Sequence, residues 1–133
     1  MSTAPAEPRP QRVLIVDDDE GHAEALAESL ELDGFACRIA PSGKSGVELA
    51  SEQSFDAVLT DYSLGAVTGA ELAERLADLP ATPFVVLVTG YATEIDDASL
   101  MSRGVDAVLP KPCRGADLRQ ILVRVPTSRA SRP

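Results

Sequence analysis

Three observations predict an α/β fold in which a five-stranded parallel sheet carries helices on both faces. Short apolar runs and amphipathic stretches alternate five times along the chain, as parallel strands and their helical crossovers do. The apolar runs contain few polar residues, which is expected of strands buried on both sides. The pattern continues without an internal linker or repeat, so the 133 residues are expected to form one domain.

Each strand is predicted from a run of β-branched or aliphatic residues that ends at a polar residue. The predicted strands are 13–16, 36–40, 57–60, 84–88 and 107–109. The first helix is predicted from Asp19 to Asp33 and is ended by Gly34, and Ser42 and Thr68 are suited to cap the second and third. The apolar faces of the last three helices are predicted from Leu72, Leu76 and Leu79, from Ile95, Ala98 and Met101, and from Leu118, Ile121, Leu122 and Val125.

Both ends of the chain are predicted to be disordered. Residues 1–11 and 126–133 are rich in proline and small polar residues and have no apolar period. The folded domain is therefore expected to span residues 12–125. Because the chain ends soon after the fifth helix, no output domain is expected, and the initial methionine favours a stand-alone protein.

The composition is that of a soluble globular protein. A net charge of -9 argues against binding a nucleic-acid backbone as the main task. The two cysteines make neither a disulfide framework nor a zinc set. The sequence shows no secretory leader and no run long enough to span a membrane. We expect a cytoplasmic protein without membrane or nucleic-acid partners, and a monomer or weak homodimer.

Polar residues follow four of the five predicted strands. Asp17 and Asp18 follow the first strand, Asp61 the third, Thr89 the fourth and Lys111 the fifth. In open parallel sheets, the working site lies beyond the carboxyl ends of the strands. We therefore expect these side chains to converge at one edge of the sheet.

The residue types at this edge are those of a phosphoryl-transfer site. Clustered carboxylates repel each other, and a divalent cation such as Mg²⁺, which prefers hard oxygen ligands, relieves that repulsion. Lys111 offers a positive charge and Thr89 a hydroxyl for phosphoryl oxygens. A carboxylate can itself be the nucleophile and form an acyl phosphate.

Four sequence blocks resemble those of response-regulator receiver domains, the CheY-like proteins of two-component signalling. The blocks are VLIVDDDE (13–20), FDAVLTDYSLGAVTG (55–69), VVLVTGYA (85–92) and AVLPKP (107–112). The resemblance implies the flavodoxin-like (βα)5 fold with strand order 2-1-3-4-5. It also implies a phosphorylated switch that accepts a phosphoryl group from a sensor histidine kinase or histidine phosphotransfer protein and signals to a downstream protein target.

The resemblance also assigns roles to individual residues. Asp61 matches the phosphoacceptor, and Thr89 and Lys111 match the hydroxyl and lysine residues of the site. The implied Mg²⁺ ligands are Asp17, Asp18 and Asp61 with the backbone carbonyl of Ser63, and Asp18 is favoured over Asp17 as a direct ligand. A cis peptide before Pro112 is implied as well.

Three positions depart from the family pattern. Val108 stands where an aromatic residue is usual, so an aromatic switch at that position is not expected. Gly65 and Thr68 replace the usual Pro and Asp in the loop after Asp61. We hypothesise that Tyr91 partly replaces the missing ring, against the simpler interpretation of an exposed loop tyrosine.

Two alternative functions stay open at this point. Asp17-x-Asp19 after a strand also resembles haloacid-dehalogenase-type phosphatases, although a further acidic motif and a cap insertion are missing. A pseudo-receiver that binds partners without phosphorylation is the other alternative, although Asp61 and Lys111 are both present. His22 is interpreted as an exposed helix residue rather than a metal ligand, and Arg12 as a solvated charge.

Overall fold

The described residues of the computed structural model, 11–65, 67–90, 97–111 and 113–124, contain a five-stranded parallel sheet. Its strands are β1 (Arg12–Val16), β2 (Ala36–Ala40), β3 (Ala57–Asp61), β6 (Phe84–Thr89) and β7 (Ala107–Pro110). Two short strands, β4 (Ser63–Leu64) and β5 (Val67–Thr68), form a separate antiparallel pair. The large sheet has the order β2-β1-β3-β6-β7, which confirms the predicted order 2-1-3-4-5 among its five strands.

The described residues form five helices, four between strands and one after the last strand. They are α1 (Glu20–Leu32), α2 (Gly43–Glu52), α3 (Gly69–Ala77), α4 (Asp97–Ser102) and α5 (Gly115–Leu122). The side chains of Asp19, Ser42 and Thr68 each accept a backbone N–H bond in the first turn of the helix that follows. Gly34, with φ +96°, follows the end of α1 in the left-handed conformation that glycine adopts readily.

The two faces of the sheet carry separate apolar cores. One core includes Leu14 and Val58 of the sheet and Leu76 of α3. The other includes Ile15 of the sheet and Leu118 of α5, together with α1 residues. Helices therefore cover both faces, and the sheet stays buried while the carboxyl ends of its strands remain open to ligands.

Some details differ from the sequence predictions. Met101 on α4 is 55% exposed and Leu100 is the buried residue. Helix α3 ends before Leu79. Arg12 is not simply solvated, since its guanidinium lies over the Phe55 ring at 5.2 Å. The β4–β5 pair was not predicted.

Several predictions fall on residues outside those described. They concern the terminal arms, the cis peptide before Pro112, the Tyr91 hypothesis, and the placement of Ile95 and Val125. Within the described part of the chain, no helix has the length and apolar character needed to cross a membrane.

Candidate functional site

Three carboxylates meet at the carboxyl ends of two adjacent strands. Strands β1 and β3 pair in parallel with Val16 opposite Thr60, so the residues that follow them are neighbours. Ligand oxygens of Asp17, Asp18 and Asp61 all lie within 4.8 Å of one another. The three side chains can therefore reach a common cation.

Asp17 is the most firmly held of the three. It is 4% exposed, and its backbone N–H donates to the carbonyl of Ala40 at 3.1 Å. Its Oδ1 accepts a bond from the backbone N–H of Asp19 at 2.9 Å, and its Oδ2 lies 2.7 Å from Nδ1 of His22. Both carboxylate oxygens of Asp17 thus have a protein donor.

Lys111 brings a positive charge to Asp61. Its Nζ lies 3.0 Å from Oδ1 of Asp61, whose side chain is 12% exposed. The Lys111 backbone N–H donates to the carbonyl of Thr89 at 3.0 Å, where β7 runs beside β6. Thr89 itself is 1% exposed. The pairing of β6 with β7 therefore places Lys111 next to Thr89. The Lys111 ammonium group contacts the Asp61 carboxylate.

The segment after Asp61 is shaped by two glycines. Gly65 has φ +80° and forms the turn of the β4–β5 pair, in which Ser63 lies opposite Thr68. Gly69 packs so closely that a Cβ there would lie 2.7 Å from the Asp61 carbonyl oxygen. Ser63 therefore follows Asp61 at the start of a defined turn, and the absence of a Cβ at position 69 lets α3 approach the site.

The three aspartates and Lys111 line an open cleft. The other described residues that line it are Asp19, His22 and Cys113. The Asp19 side chain caps α1 by accepting the His22 backbone N–H at 3.1 Å. Burial, with a smaller contribution from Asp117, raises the pKa of the Cys113 thiol to about 11. Cys113 is therefore protonated at neutral pH and has little thiolate character for metal binding.

The donor set fits a hard divalent cation. Three carboxylates converge, and the positive charge of Lys111 contacts Oδ1 of Asp61. Mg²⁺ takes oxygen ligands and keeps several waters, so this number of protein ligands suffices. Asp17, Asp18 and Asp61 are thus able to hold such an ion.

His22 is the site residue that the sequence analysis missed. It was interpreted as an exposed helix residue, but its side chain contacts Asp17 and is 34% exposed. A capping pattern could have revealed this, because with Asp19 as N-cap, His22 occupies the third helical position. Side chains at that position reach back over the start of the helix.

The residues from 13 to 123 match the family model of the response regulator receiver domain. This chain belongs to that family. The receiver domain is 38% identical over 107 residues to the transcriptional activator protein PfeR of Pseudomonas aeruginosa, a match covering 80% of this chain and 35% of PfeR. It is 39% identical over 104 residues to the response regulator receiver protein Anae109_2439 of Anaeromyxobacter, covering 77% and 43%. The chain spans less than half the length of either relative.

Solved structures with the same fold include other receiver domains. A CheY-like receiver domain from Methylobacillus flagellatus has a TM-score of 0.80 and 29% identity, covering 88% of this chain and 99% of that one. A response regulator from Burkholderia pseudomallei has a TM-score of 0.74 and 30% identity, covering 91% and 69%. The latter was solved with a phosphorylated aspartic acid and a calcium ion. The predicted fold and family are both confirmed.

Proposed function

We propose that this receiver domain is a phosphorylation-dependent switch of a two-component phosphorelay in which Asp61 accepts the phosphoryl group. The observation that carries the proposal is the position of Asp61, which shares a carboxylate cluster with Asp17 and Asp18 and has the Lys111 ammonium 3.0 Å from Oδ1. The donor is a phosphohistidine on a sensor histidine kinase or a histidine phosphotransfer protein.

The proposed reaction is a displacement at phosphorus. An Asp61 carboxylate oxygen forms the new P–O bond while the P–N bond to the histidine breaks, and the donor's imidazole leaves with the bonding electron pair. The product is an acyl phosphate on Asp61. Asp17, Asp18, Asp61 and the Ser63 carbonyl would hold Mg²⁺, with Asp18 favoured over Asp17 as a direct ligand. When bound, the ion neutralises charge on the phosphoryl oxygens.

Lys111 and Thr89 complete the proposed site. In the unphosphorylated domain, Lys111 pairs with Asp61. After transfer, the same ammonium is positioned to pair with a phosphoryl oxygen, and the Thr89 hydroxyl to donate to another. Because Thr89 is buried in a close-packed interior, its movement toward the phosphoryl group would displace the side chains packed around it.

The output is proposed to be a contact with a downstream protein, made by a cytoplasmic monomer or weak homodimer. Val108, half-buried on β7, offers no ring to report the state of Thr89, so the proposed route to the surface does not pass through an aromatic side chain at that position. Named relatives such as PfeR are transcriptional activators of greater length. The acidic receiver domain itself is not proposed to bind nucleic acid.

The phosphatase alternative loses support from the position of Asp19. Here the Asp19 side chain is engaged as the N-cap of α1, where it accepts the His22 backbone N–H. We therefore propose a regulatory phosphoacceptor rather than an enzyme for small phosphoesters.

The test is labelling with a small phosphoryl donor. The protein is incubated with acetyl phosphate or phosphoramidate and Mg²⁺ and analysed by intact mass. We expect one phosphoryl adduct, which is removed by hydroxylamine as an acyl phosphate should be. EDTA and Asp61→Asn each abolish the adduct, while Asp78→Asn, a matched change at the exposed end of α3, retains it. An adduct that survives in Asp61→Asn would refute the proposal.

A further inference from the structure

We propose that His22 is a positioning residue for the metal site, which it serves by holding Asp17 in place through a side-chain hydrogen bond. The inference rests on the proposed function, because it concerns the ion used in phosphoryl transfer. His22 itself is not proposed to touch the ion. Its effect passes through the Asp17 carboxylate.

The contact is short and its direction is defined. Nδ1 of His22 lies 2.7 Å from Oδ2 of Asp17. An ionised carboxylate only accepts hydrogen bonds, so the ring nitrogen is the donor. The imidazole is anchored in turn by the first turn of α1, where the Asp19 side chain accepts the His22 backbone N–H. The ring therefore projects from a capped helix end rather than from a mobile loop.

This bond completes the restraint of a buried carboxylate. The other oxygen of Asp17 accepts from the Asp19 N–H, so the carboxylate is gripped at both oxygens. Without the imidazole, one oxygen of an aspartate that is only 4% exposed loses its protein donor. The carboxylate is then held at Oδ1 alone and can turn relative to Asp18 and Asp61, so the cluster of three carboxylates is less firmly preformed.

A direct ligand role for His22 fits the geometry less well. The group of ligand atoms lying within 4.8 Å of one another contains the three aspartates, and the imidazole is not part of it. Its Nδ1 is also engaged by Asp17. Hydrogen bonds to ligating carboxylates from the surrounding shell commonly tune metal affinity by tenfold or more.

The experiment compares Mg²⁺ binding by calorimetry in the full chain and three variants. His22→Ala removes the donor, and His22→Asn keeps an N–H donor at a similar distance from the backbone. Glu24→Ala is the matched control, an exposed position two residues further along α1. We expect His22→Ala to raise the Mg²⁺ dissociation constant about tenfold. His22→Asn should recover most of the affinity, and Glu24→Ala should leave it within about twofold.

A thermal melt in EDTA separates positioning from a merely structural role. A structural role would lower the melting temperature of metal-free His22→Ala and leave its Mg²⁺ affinity unchanged, which would overturn the inference. Tighter Mg²⁺ binding by His22→Ala would also overturn it, since the imidazole would then be competing with the ion for Asp17. Failure of the wild-type chain to bind Mg²⁺ would instead overturn the proposed function, together with this inference.

Discussion

Replacing Gly69 with alanine places a methyl group where the structure leaves no room for one. The new Cβ would lie 2.7 Å from the Asp61 carbonyl oxygen and 3.2 Å from the Tyr62 Cα, and it would collide with the Leu87 side chain. Leu87 can rotate, but the backbone of Asp61 lies in the middle of the sheet, paired with Val88. Relief therefore requires a shift of α3 or of β3.

The expected cost follows from that choice. Overpacking a well-filled core costs about 1–3 kcal/mol, and a backbone clash belongs at the upper end of that range. For a domain of this size, each kcal/mol corresponds to roughly 4 °C in melting temperature. We therefore expect Gly69→Ala to melt about 8–12 °C below the wild type. Labelling of Asp61 by acetyl phosphate should also slow, because the carbonyl that moves belongs to the proposed acceptor residue.

The assay is thermal unfolding followed by circular dichroism, with Gly21→Ala as the control. Gly21 lies in the first turn of α1, and the nearest atom to its added Cβ is Asp19 Oδ1 at 3.7 Å, an ordinary contact. Alanine is the better helix former, so the control should melt at or slightly above the wild-type temperature. A Gly69→Ala protein that melts with the wild type would show that α3 does not approach Asp61 as described.

Two further predictions concern charged and ionisable side chains. Arg103 donates a hydrogen bond to Glu74 at 3.1 Å and lowers the pKa of the Glu74 carboxyl. Any contribution of this pair to the free energy of unfolding is therefore lost as the pH falls through that lowered pKa. Because both groups are exposed, Glu74→Gln should leave the urea midpoint at neutral pH unchanged, and a clear decrease would contradict this. Burial raises the pKa of Cys37 and of Cys113 from 9.0 to about 11. Native thiols should therefore react with Ellman's reagent at least about tenfold more slowly at pH 8 than in urea, and equal rates would refute this prediction.

The sequence was sufficient to predict which residues meet at the site because the topology of the sheet brings them together. Asp17, Asp61 and Lys111 each follow a strand, and parallel strands deliver their carboxyl ends to one edge whatever the side chains do. The strand order itself came from the family resemblance, since an apolar run does not reveal its neighbours. Helix ends at Ser42 and Thr68 were predictable because capping depends on local bonds.

Features that depend on geometry between segments were not predicted. The β4–β5 pair has two residues in each strand, too few to show a period. The sequence that forms α4 is only weakly amphipathic, so the prediction placed Met101 on the buried face, where the structure has Leu100. His22 was missed although the start of α1 was predicted to within one residue, because the sequence pattern does not show which way the imidazole turns relative to Asp17.

The opposite rim of the sheet uses carboxylates in another way. Asp56, fully buried just before β3, accepts the Arg12 backbone N–H at 2.7 Å, and Asp106, just before β7, accepts that of Val85 at 2.8 Å. Each side chain thereby links the start of one strand to the start of the neighbouring strand through a hydrogen bond. Aspartates thus cluster at the candidate metal site where the strands end, and bond to the backbone of a neighbouring segment where the strands begin. Replacing Asp56 or Asp106 would be expected to lower the yield and half-life of the protein in the cell. The chemistry of the molecules that remain folded would be unchanged.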